Sequence, residues 1–289
     1  MDWAFLLVVS TPLILAALGE AVGQRSGVLN IGLEGILLFG AFFGFLLAAR
    51  TGSLALGFAF AAAAGVGIAL ISGYFTVKLG SDQVVVGTAI NFLALGVTGL
   101  AFRRIYGQSG QLLSSPDLPR FLGIDLVCVL AILLIPVVWY LLLHTKWGLA
   151  ARACGEYPQA VEASGFSVTK IRLVALMVGG ALAGLGGAHL SLGVAGTFAE
   201  GMTAGRGFLA IALVTFGRWQ PMYVALAALL LGYTQSLQYS LQGRPILGVQ
   251  VPSQLWLALP YVLALLVLVV VGSGPGTPKA LGRPYEKDA

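Results

Sequence analysis

The chain has 289 residues, of which 58% are hydrophobic and 9% are charged, whereas about a quarter of the residues of a soluble domain are charged. This composition excludes an ordinary soluble protein. The formal charge of +5 is small and spread over the polar loops, which argues for orientation in a bilayer and against nucleic-acid binding. We therefore predict an all-α, polytopic transmembrane helical bundle that forms a single domain over residues 1–289.

Nine apolar segments follow one another along the chain, and they predict eight or nine membrane spans. They cover residues 3–22, 27–49, 54–72, 84–102, 126–143, 173–193, 207–219, 221–238 and 255–272. The first has only Asp2 as a charge before it and lacks the basic flank of a secretory signal, so we expect a retained helix. The segment at 207–219 is short for a full crossing, and transporters often place their pathway at short or interrupted spans.

Three polar residues stand out in the stretch GQRSGVLNIGLEGILLFG at 23–40, namely Arg25, Asn30 and Glu34. Asn30 and Glu34 are four residues apart and would share one helix face, a spacing that Glu20 and Gln24 repeat. A carboxylate inside a span must face protein or water. Glu34 is therefore either a structural tie to Arg25, Arg206 or a helix N-terminus, or a hydrophilic lining for a substrate, or a group that couples transport to protons.

A second polar stripe lies in SDQVVVGTAINFLALG at 81–96, where Gln83, Gly87 and Asn91 follow at four-residue steps with Thr88 beside them. Small and amide residues in this pattern allow close packing of helices. They could equally offer neutral hydrogen-bonding groups to an uncharged polar solute. The candidate substrate path accordingly comprises Asn30, Glu34, Gln83, Thr88 and Asn91.

The polar loop at 144–172 carries a signature of a short surface helix. Pro158 suits a helix start and Gly165 a left-handed stop, and Ala160, Ala163 and Ser164 share one face with Glu162 among them. This pattern is typical of a short helix that docks into a groove on another protein. The alternative is an interfacial amphipathic helix, for which the segment is too short and too rich in small residues.

Loop charges predict the orientation of the bundle. With the loop at 144–172 in the cytoplasm, ten basic residues lie inside and six outside. The inside set is Arg25, Lys78, Lys146, Arg152, Lys170, Arg172, Arg218, Lys279, Arg283 and Lys287, and the outside set is Arg50, Arg103, Arg104, Arg120, Arg206 and Arg244. This bias places the N-terminus outside and the tail at 273–289 in the cytoplasm.

Two weaker patterns concern the same spans. RSGVLNIG at 25–32 and GRGFLAIA at 205–212 both follow Gly-x-Leu-x-Ile, and under the predicted topology they would be related as an inverted repeat, although chance explains so short a match equally well. Gln235, Gln238 and Gln242 lie near the outer end of their segment, and we expect them at the membrane interface.

Catalytic motifs are absent from the sequence. His144 and His189 are far apart, and we find neither HExxH nor a paired-carboxylate motif. No lysine follows a glycine, so the chain has no P-loop and any ATP must act on a partner. Cys128 lies in an apolar span and suits packing, Cys154 lies in a polar loop with no special role, and neither suggests a disulfide or a metal cluster.

Three stretches together resemble one family: GQRSGVLNIGLEGILLFGAF, RACGEYPQAVEASGFSVTKIRLVALMVGGALAGLGGA and FAEGMTAGRGFLAIALVTFGRWQP. The chain is similar to the integral membrane permease subunits of bacterial ABC importers, in the branch that serves nucleosides and simple sugars and is related to the ribose and branched-chain amino acid permeases. This resemblance covers nearly the whole chain. It implies a multi-pass protein of the bacterial plasma (inner) membrane.

The resemblance also implies partners and a coupling helix. The helix would receive the motion of an ATPase through Glu156, Tyr157, Pro158, Gln159, Ala160, Glu162, Ala163, Ser164 and Gly165. The partners would be that ATPase, which would bind ATP and Mg²⁺, a second and commonly different permease, and an external solute-binding (lipo)protein. This chain itself would bind no cofactor or metal. The alternative function is an ion-coupled secondary transporter of a small polar solute that uses Glu34.

Overall fold

A computed structural model describes residues 3–107, 116–242, 252–271 and 276–285, and helices dominate these ranges. The helices are α1 (Trp3–Arg25), α2 (Leu33–Thr51), α3 (Leu54–Gly73), α4 (Gln83–Tyr106), α5 (Leu126–His144), α6 (Lys146–Glu156), α7 (Pro158–Ala163), α8 (Val168–His189), α9 (Arg206–Phe216), α10 (Pro221–Leu241) and α11 (Ser253–Val271). Turns of π-helix extend α3 over Tyr74–Lys78 and α8 over Leu190–Ala195. A two-residue hairpin, β1 (Arg120–Phe121) and β2 (Ile124–Asp125), precedes α5.

Each of the nine predicted apolar segments contains a helix. Within the described ranges, six helices are by length and composition long and apolar enough to cross a membrane: α1, α2, α3 with its extension, α4, α5, and α8 with its extension. α9 and the stretch Gln254–Val269 of α11 are shorter apolar helices. The helix in the second segment begins only at Leu33, because residues 26–32 form a turn and an extended stretch in which Gly27 has a φ of +90°.

The short helix α9 does not have the length of a full crossing. Its 11 residues span about 16 Å at 1.5 Å per residue, about half of the 30 Å hydrocarbon layer. A tight turn follows, in which Arg218 and Trp219 have φ values of +49° and +57°. Pro221 then occupies the first turn of α10, where its fixed φ and missing N–H are tolerated.

Glycines allow α8 to lie against the backbones of its neighbours. A Cβ added at Gly184 would collide with the carbonyl of Ala61 on α3, and one added at Gly40 on α2 would collide with the carbonyl of Gly184. Gly179 and Gly19 bring α8 and α1 together in the same way. Such small-residue contacts maximise van der Waals packing between helices in a membrane, where no hydrophobic driving force acts between them.

We expect Gly184→Ala to lower the free energy of unfolding by about 1–3 kcal/mol, the usual range for overpacking, because the new methyl group must push α3 away. Gly67→Ala on α3 is the matched control, since a Cβ at Gly67 meets nothing within 4 Å. Thermal unfolding of both variants in detergent measures the difference. Equal melting temperatures would show that the α3–α8 contact is not tight.

A strap formed by residues 276–285 fastens the ends of several helices. The Ala280 N–H donates to the carbonyl of Gly155 at 2.8 Å, and the Gly282 N–H donates to the carbonyl of Gly27 at 3.2 Å. From α8, Arg172 donates through Nη1 to the carbonyl of Arg283 at 3.1 Å. The strap therefore joins the end of α6 to the turn that follows α1.

Candidate functional site

Glu34 binds the N-terminus of α9. Its Oε1 accepts the backbone N–H of Gly205 at 2.7 Å, and its Oε2 accepts that of Gly207 at 2.6 Å. Gly205 has a φ of +83°, and Gly207 has no room for a side chain because it lies against the Glu34 backbone. The positive end of the helix dipole favours a carboxylate here. Among the interactions considered for Glu34 in the sequence analysis, the structure contains the structural tie to a helix N-terminus.

A buried hydrogen-bond network joins the end of α1 to the turn before α10. Glu20 Oε1 accepts from Gln24 Nε2 at 2.9 Å and from the backbone N–H of Asn30 at 3.1 Å. Trp219 Nε1 donates to Gln24 Oε1 at 2.7 Å, and Arg25 Nε donates to the Trp219 carbonyl at 2.8 Å. The four-residue spacing of Glu20 and Gln24 thus serves one network, which also holds the polypeptide around Asn30.

The amides of α4 are hydrogen-bonded to the stretch that precedes and begins α2. Gln83 Oε1 accepts the backbone N–H of Leu29 at 2.7 Å. Asn91 accepts from the Gly35 N–H at 2.8 Å and donates to the Ile31 carbonyl at 3.0 Å. The structure therefore gathers Asn30, Glu34, Gln83 and Asn91 around the break between α1 and α2.

Thr88 is not part of that group. Its side chain is exposed, and its hydroxyl donates to the Val84 carbonyl of its own helix at 2.7 Å. Of the two segments of the predicted inverted repeat, only the second, at 205–212, directly opens a helix, whereas the first, at 25–32, lies between the end of α1 and the start of α2. The repeat itself stays a prediction.

Gln235 and Gln238 do not face the surroundings of the chain, because both are buried, with 5% and 6% of their surface exposed; their position at the membrane interface stays a prediction. They line a cavity of about 540 Å³, which we call the glutamine chamber. Its walls are Phe5, Leu190, Val194, Ala195, Ala199, Met202, Ala204, Arg206, Gln235, Gln238, Tyr239, Gln242, Leu257, Pro260 and Tyr261. The spacing of residues 235, 238 and 242, which places three amides on one helix face, is the sequence signal that could have found it.

The short helix predicted in the polar loop is present as α7. Pro158 is its first residue, and Gly165 has a φ of +83° two residues after its end. Pro158 and Val161 are buried, whereas Ala160 and Ala163 are exposed, as are Gln159 and Ser164. The helix is thus anchored by one side and presents small residues on the other.

The segment before α7 differs from the expectation for Cys154. That residue lies in α6 and is fully buried, rather than in a polar loop. Burial raises the pKa of its thiol to about 11. Neighbouring Gly155 lies against the Arg25 carbonyl and receives the strap, so the α6–α7 junction rests on the end of α1.

One buried polar cluster has no counterpart in the sequence analysis. His189 Nε2 lies 2.9 Å from Asp125 Oδ2 and 3.8 Å from Cys128 Sγ, so Cys128 does more than fill space. Burial would raise the pKa of Asp125, but the hydrogen bond and charge of His189 lower it to about 2. The three side chains could ligate a metal, yet the Asp125–His189 hydrogen bond accounts for the cluster as it stands.

An apolar helical bundle with a half-length helix and a polar break between two spans is typical of a multi-pass membrane protein of the transporter class. The chain belongs to the family described as the permease component of branched-chain amino acid transport systems, which it matches over residues 3–271. It is therefore a transport component and not an enzyme.

Bacterial relatives span almost the entire chain. The guanosine ABC transporter permease NupQ of Bacillus subtilis is 35% identical, covering 97% of this chain and 95% of its own. The nucleoside ABC transporter permease NupC of Lactococcus lactis is 34% identical, covering 98% and 96%. A second guanosine permease of Bacillus subtilis, NupP, is 30% identical over 91% of this chain and 79% of its own.

The fold is similar to that of a solved ABC transporter chain described as of the metal-chelate type, in an inward-facing conformation. The TM-score is 0.54 with 14% sequence identity, covering 92% of this chain and 85% of that one. At this identity the similarity shows the fold alone.

Proposed function

We propose that the chain is the membrane-spanning subunit of an ATP-driven importer, and that it forms the translocation path for a neutral nucleoside or a related simple sugar. The observation that carries the proposal is α7, whose Ala160 and Ala163 are exposed while its Val161 packs in one cluster with Ala151 and Cys154 of α6. The strap is in turn hydrogen-bonded to the end of α6. The membership of the permease family supports it, as do relatives named for guanosine and nucleoside transport.

The ATPase docks on α7, and residues 144–172 and the tail at 273–289 accordingly lie in the cytoplasm of a bacterium, beneath its plasma membrane. ATP and Mg²⁺ bind to that partner. A second, different permease completes the path, a proposal supported by the pair NupP and NupQ in one organism. An external solute-binding protein delivers the substrate.

The path runs beside the break between α1 and α2, where Asn30, Glu34, Gln83 and Asn91 supply polar groups. Thr88 belongs to the path only where a second permease covers its exposed face. ATP-driven motion of α7 is transmitted through α6 to Arg25 and the adjoining break. The subunit then alternates between inward-open and outward-open states, which ATP binding on the partner populates in turn.

The alternative function is an ion-coupled secondary transporter in which Glu34 carries the coupling proton. Both oxygens of Glu34 accept backbone N–H groups at the start of α9. The side chain is thus engaged in structural hydrogen bonds, which favours the importer as the first hypothesis.

Reconstitution in proteoliposomes separates the two functions. We expect nucleoside uptake to require the ATPase, the binding protein, and ATP on the side of the membrane that carries the ATPase. Proton and sodium gradients without ATP should give no accumulation. Uptake by the purified chain on an ion gradient alone would reject the importer and support the secondary transporter.

A further inference from the structure

We propose that the glutamine chamber is the site that holds the nucleoside within this subunit, and that Gln235 recognises its base. The proposal rests on the proposed function for the class of substrate, and on the chamber's own chemistry for the site. The candidate path residues Asn30, Glu34, Gln83 and Asn91 do not line the chamber. The chamber adjoins them at the N-terminus of α9, which Glu34 binds.

The first support is an unpaired buried amide. Gln235 is 5% exposed, and its Oε1 has no hydrogen-bond partner within the described part of the chain. Buried polar side-chain atoms in folded proteins are nearly always paired. Gln235 lines the chamber, so a rotation of its side chain would bring this unpaired oxygen to a donor supplied by a ligand, such as an amino or imino group of a base.

The second support is the charge of the chamber. Among its described lining residues, Arg206 is the only charged side chain. Its guanidinium already donates to the carbonyls of Met202 and Thr203, at 3.0 and 3.3 Å, and to the Tyr239 hydroxyl at 3.3 Å. The described lining of the chamber thus has no acidic residue, and its one guanidinium is already hydrogen-bonded within the chain. Such a site suits a neutral solute better than an ion.

The third support is the combination of size and surface. The volume of about 540 Å³ lies within the range of about 300–1,000 Å³ that small-molecule sites occupy. Phe5, Tyr239 and Tyr261 contribute aromatic surface, and Gln235, Gln238 and Gln242 contribute amides. Aromatic side chains stack on bases, while amides pair with the donor and acceptor edges of bases.

The fourth support is the position of the chamber above the half-length helix. Met202, Ala204 and Arg206 form one wall and lead directly into α9, whose N-terminus is fixed to Glu34. Tyr261 donates to the Ala204 carbonyl and ties α11 to the same wall. In transporters, the N-termini of discontinuous helices lie next to the substrate, so a shift of α9 would reshape this site directly.

The test is photolabelling of the complete importer in proteoliposomes without ATP, with 8-azidoguanosine and 5-azidouridine as probes. Gln235→Met removes the amide at nearly constant volume. Gln220→Met is the matched control, because Gln220 is an exposed glutamine at the other end of α10. We expect labels on chamber residues in the wild type and the control, and competition by excess unlabelled nucleoside.

For Gln235→Met we expect labelling, and nucleoside uptake at saturating binding protein, to fall at least about tenfold, whereas Gln220→Met should keep both at the wild-type level. Labels outside the chamber, absence of labelling by both probes, or equal labelling of Gln235→Met and wild type would overturn the proposal. Competition by glucose but not by nucleosides would overturn the assigned substrate class. Because labelling needs no ATP, its result is independent of whether uptake proves to be ATP-driven.

Discussion

Glu34→Ala is expected to lower the free energy of unfolding by about 2–6 kcal/mol, since it removes the acceptors of two backbone N–H groups and each unpaired buried group costs about 1–3 kcal/mol. Those groups belong to Gly205 and Gly207 at the start of α9. Loss of the carboxylate at the positive end of the helix adds to the effect. Thermal unfolding of the purified protein in detergent measures it.

The free energy of unfolding of Glu34→Gln should lie between those of the wild type and Glu34→Ala, because the amide keeps one acceptor oxygen but turns a donor toward the second N–H. Glu200→Gln is the matched control. Glu200 forms an exposed ion pair with Arg103, at 2.6 Å between Oε2 and Nη2, and exposed pairs contribute little to stability. A melting temperature of Glu34→Ala equal to that of the control would show that the tie to α9 is dispensable.

Ala160→Glu is expected to reduce ATP-driven uptake at least about tenfold while the ATPase remains active, since an unmatched charge buried at an interface costs about 2–5 kcal/mol. Ala160 is exposed on α7, opposite the buried Val161 that anchors the helix. The glutamate side chain would keep the small-residue face out of the groove on the ATPase. Parallel assays of uptake and ATP hydrolysis in proteoliposomes measure the coupling ratio.

Thr169→Glu provides the control for added charge. Thr169 lies half-buried in the first turn of α8, where the helix dipole favours a carboxylate. This variant should transport normally. If Ala160→Glu also transported with the wild-type ratio of solute to ATP, α7 would not be the site at which ATP hydrolysis is coupled to transport.

Local chemistry allowed most helices to be predicted from the sequence. Apolar runs mark helices by composition, and α7 is bounded by Pro158 and Gly165, whose backbone preferences act within a few residues. The start of α2 was predicted too early, at residue 27, because an apolar run conceals a turn. Gly27, with a φ of +90°, follows Ser26 there and was the available signal.

Contacts between distant residues could not be predicted in the same way. Glu34 and Gly205 are 171 positions apart, and Asp125 and His189 are 64 apart. The sequence shows that a buried carboxylate needs a partner but not which of several donors the fold delivers. The burial of Gln235 likewise depends on α11 and on the polypeptide before α9, whose positions no local pattern specifies.

The strap has a consequence for biosynthesis. Its residues follow every helix in chain order, so they leave the ribosome after α6 and α7 have been made. The Gly155 and Gly27 carbonyls therefore lack their hydrogen bonds from the strap until the strap has been synthesised. Nascent or prematurely terminated chains would therefore expose α6 and α7 without the strap. Under the proposed docking of an ATPase on α7, recruitment of that ATPase would favour subunits in which the strap has already been made.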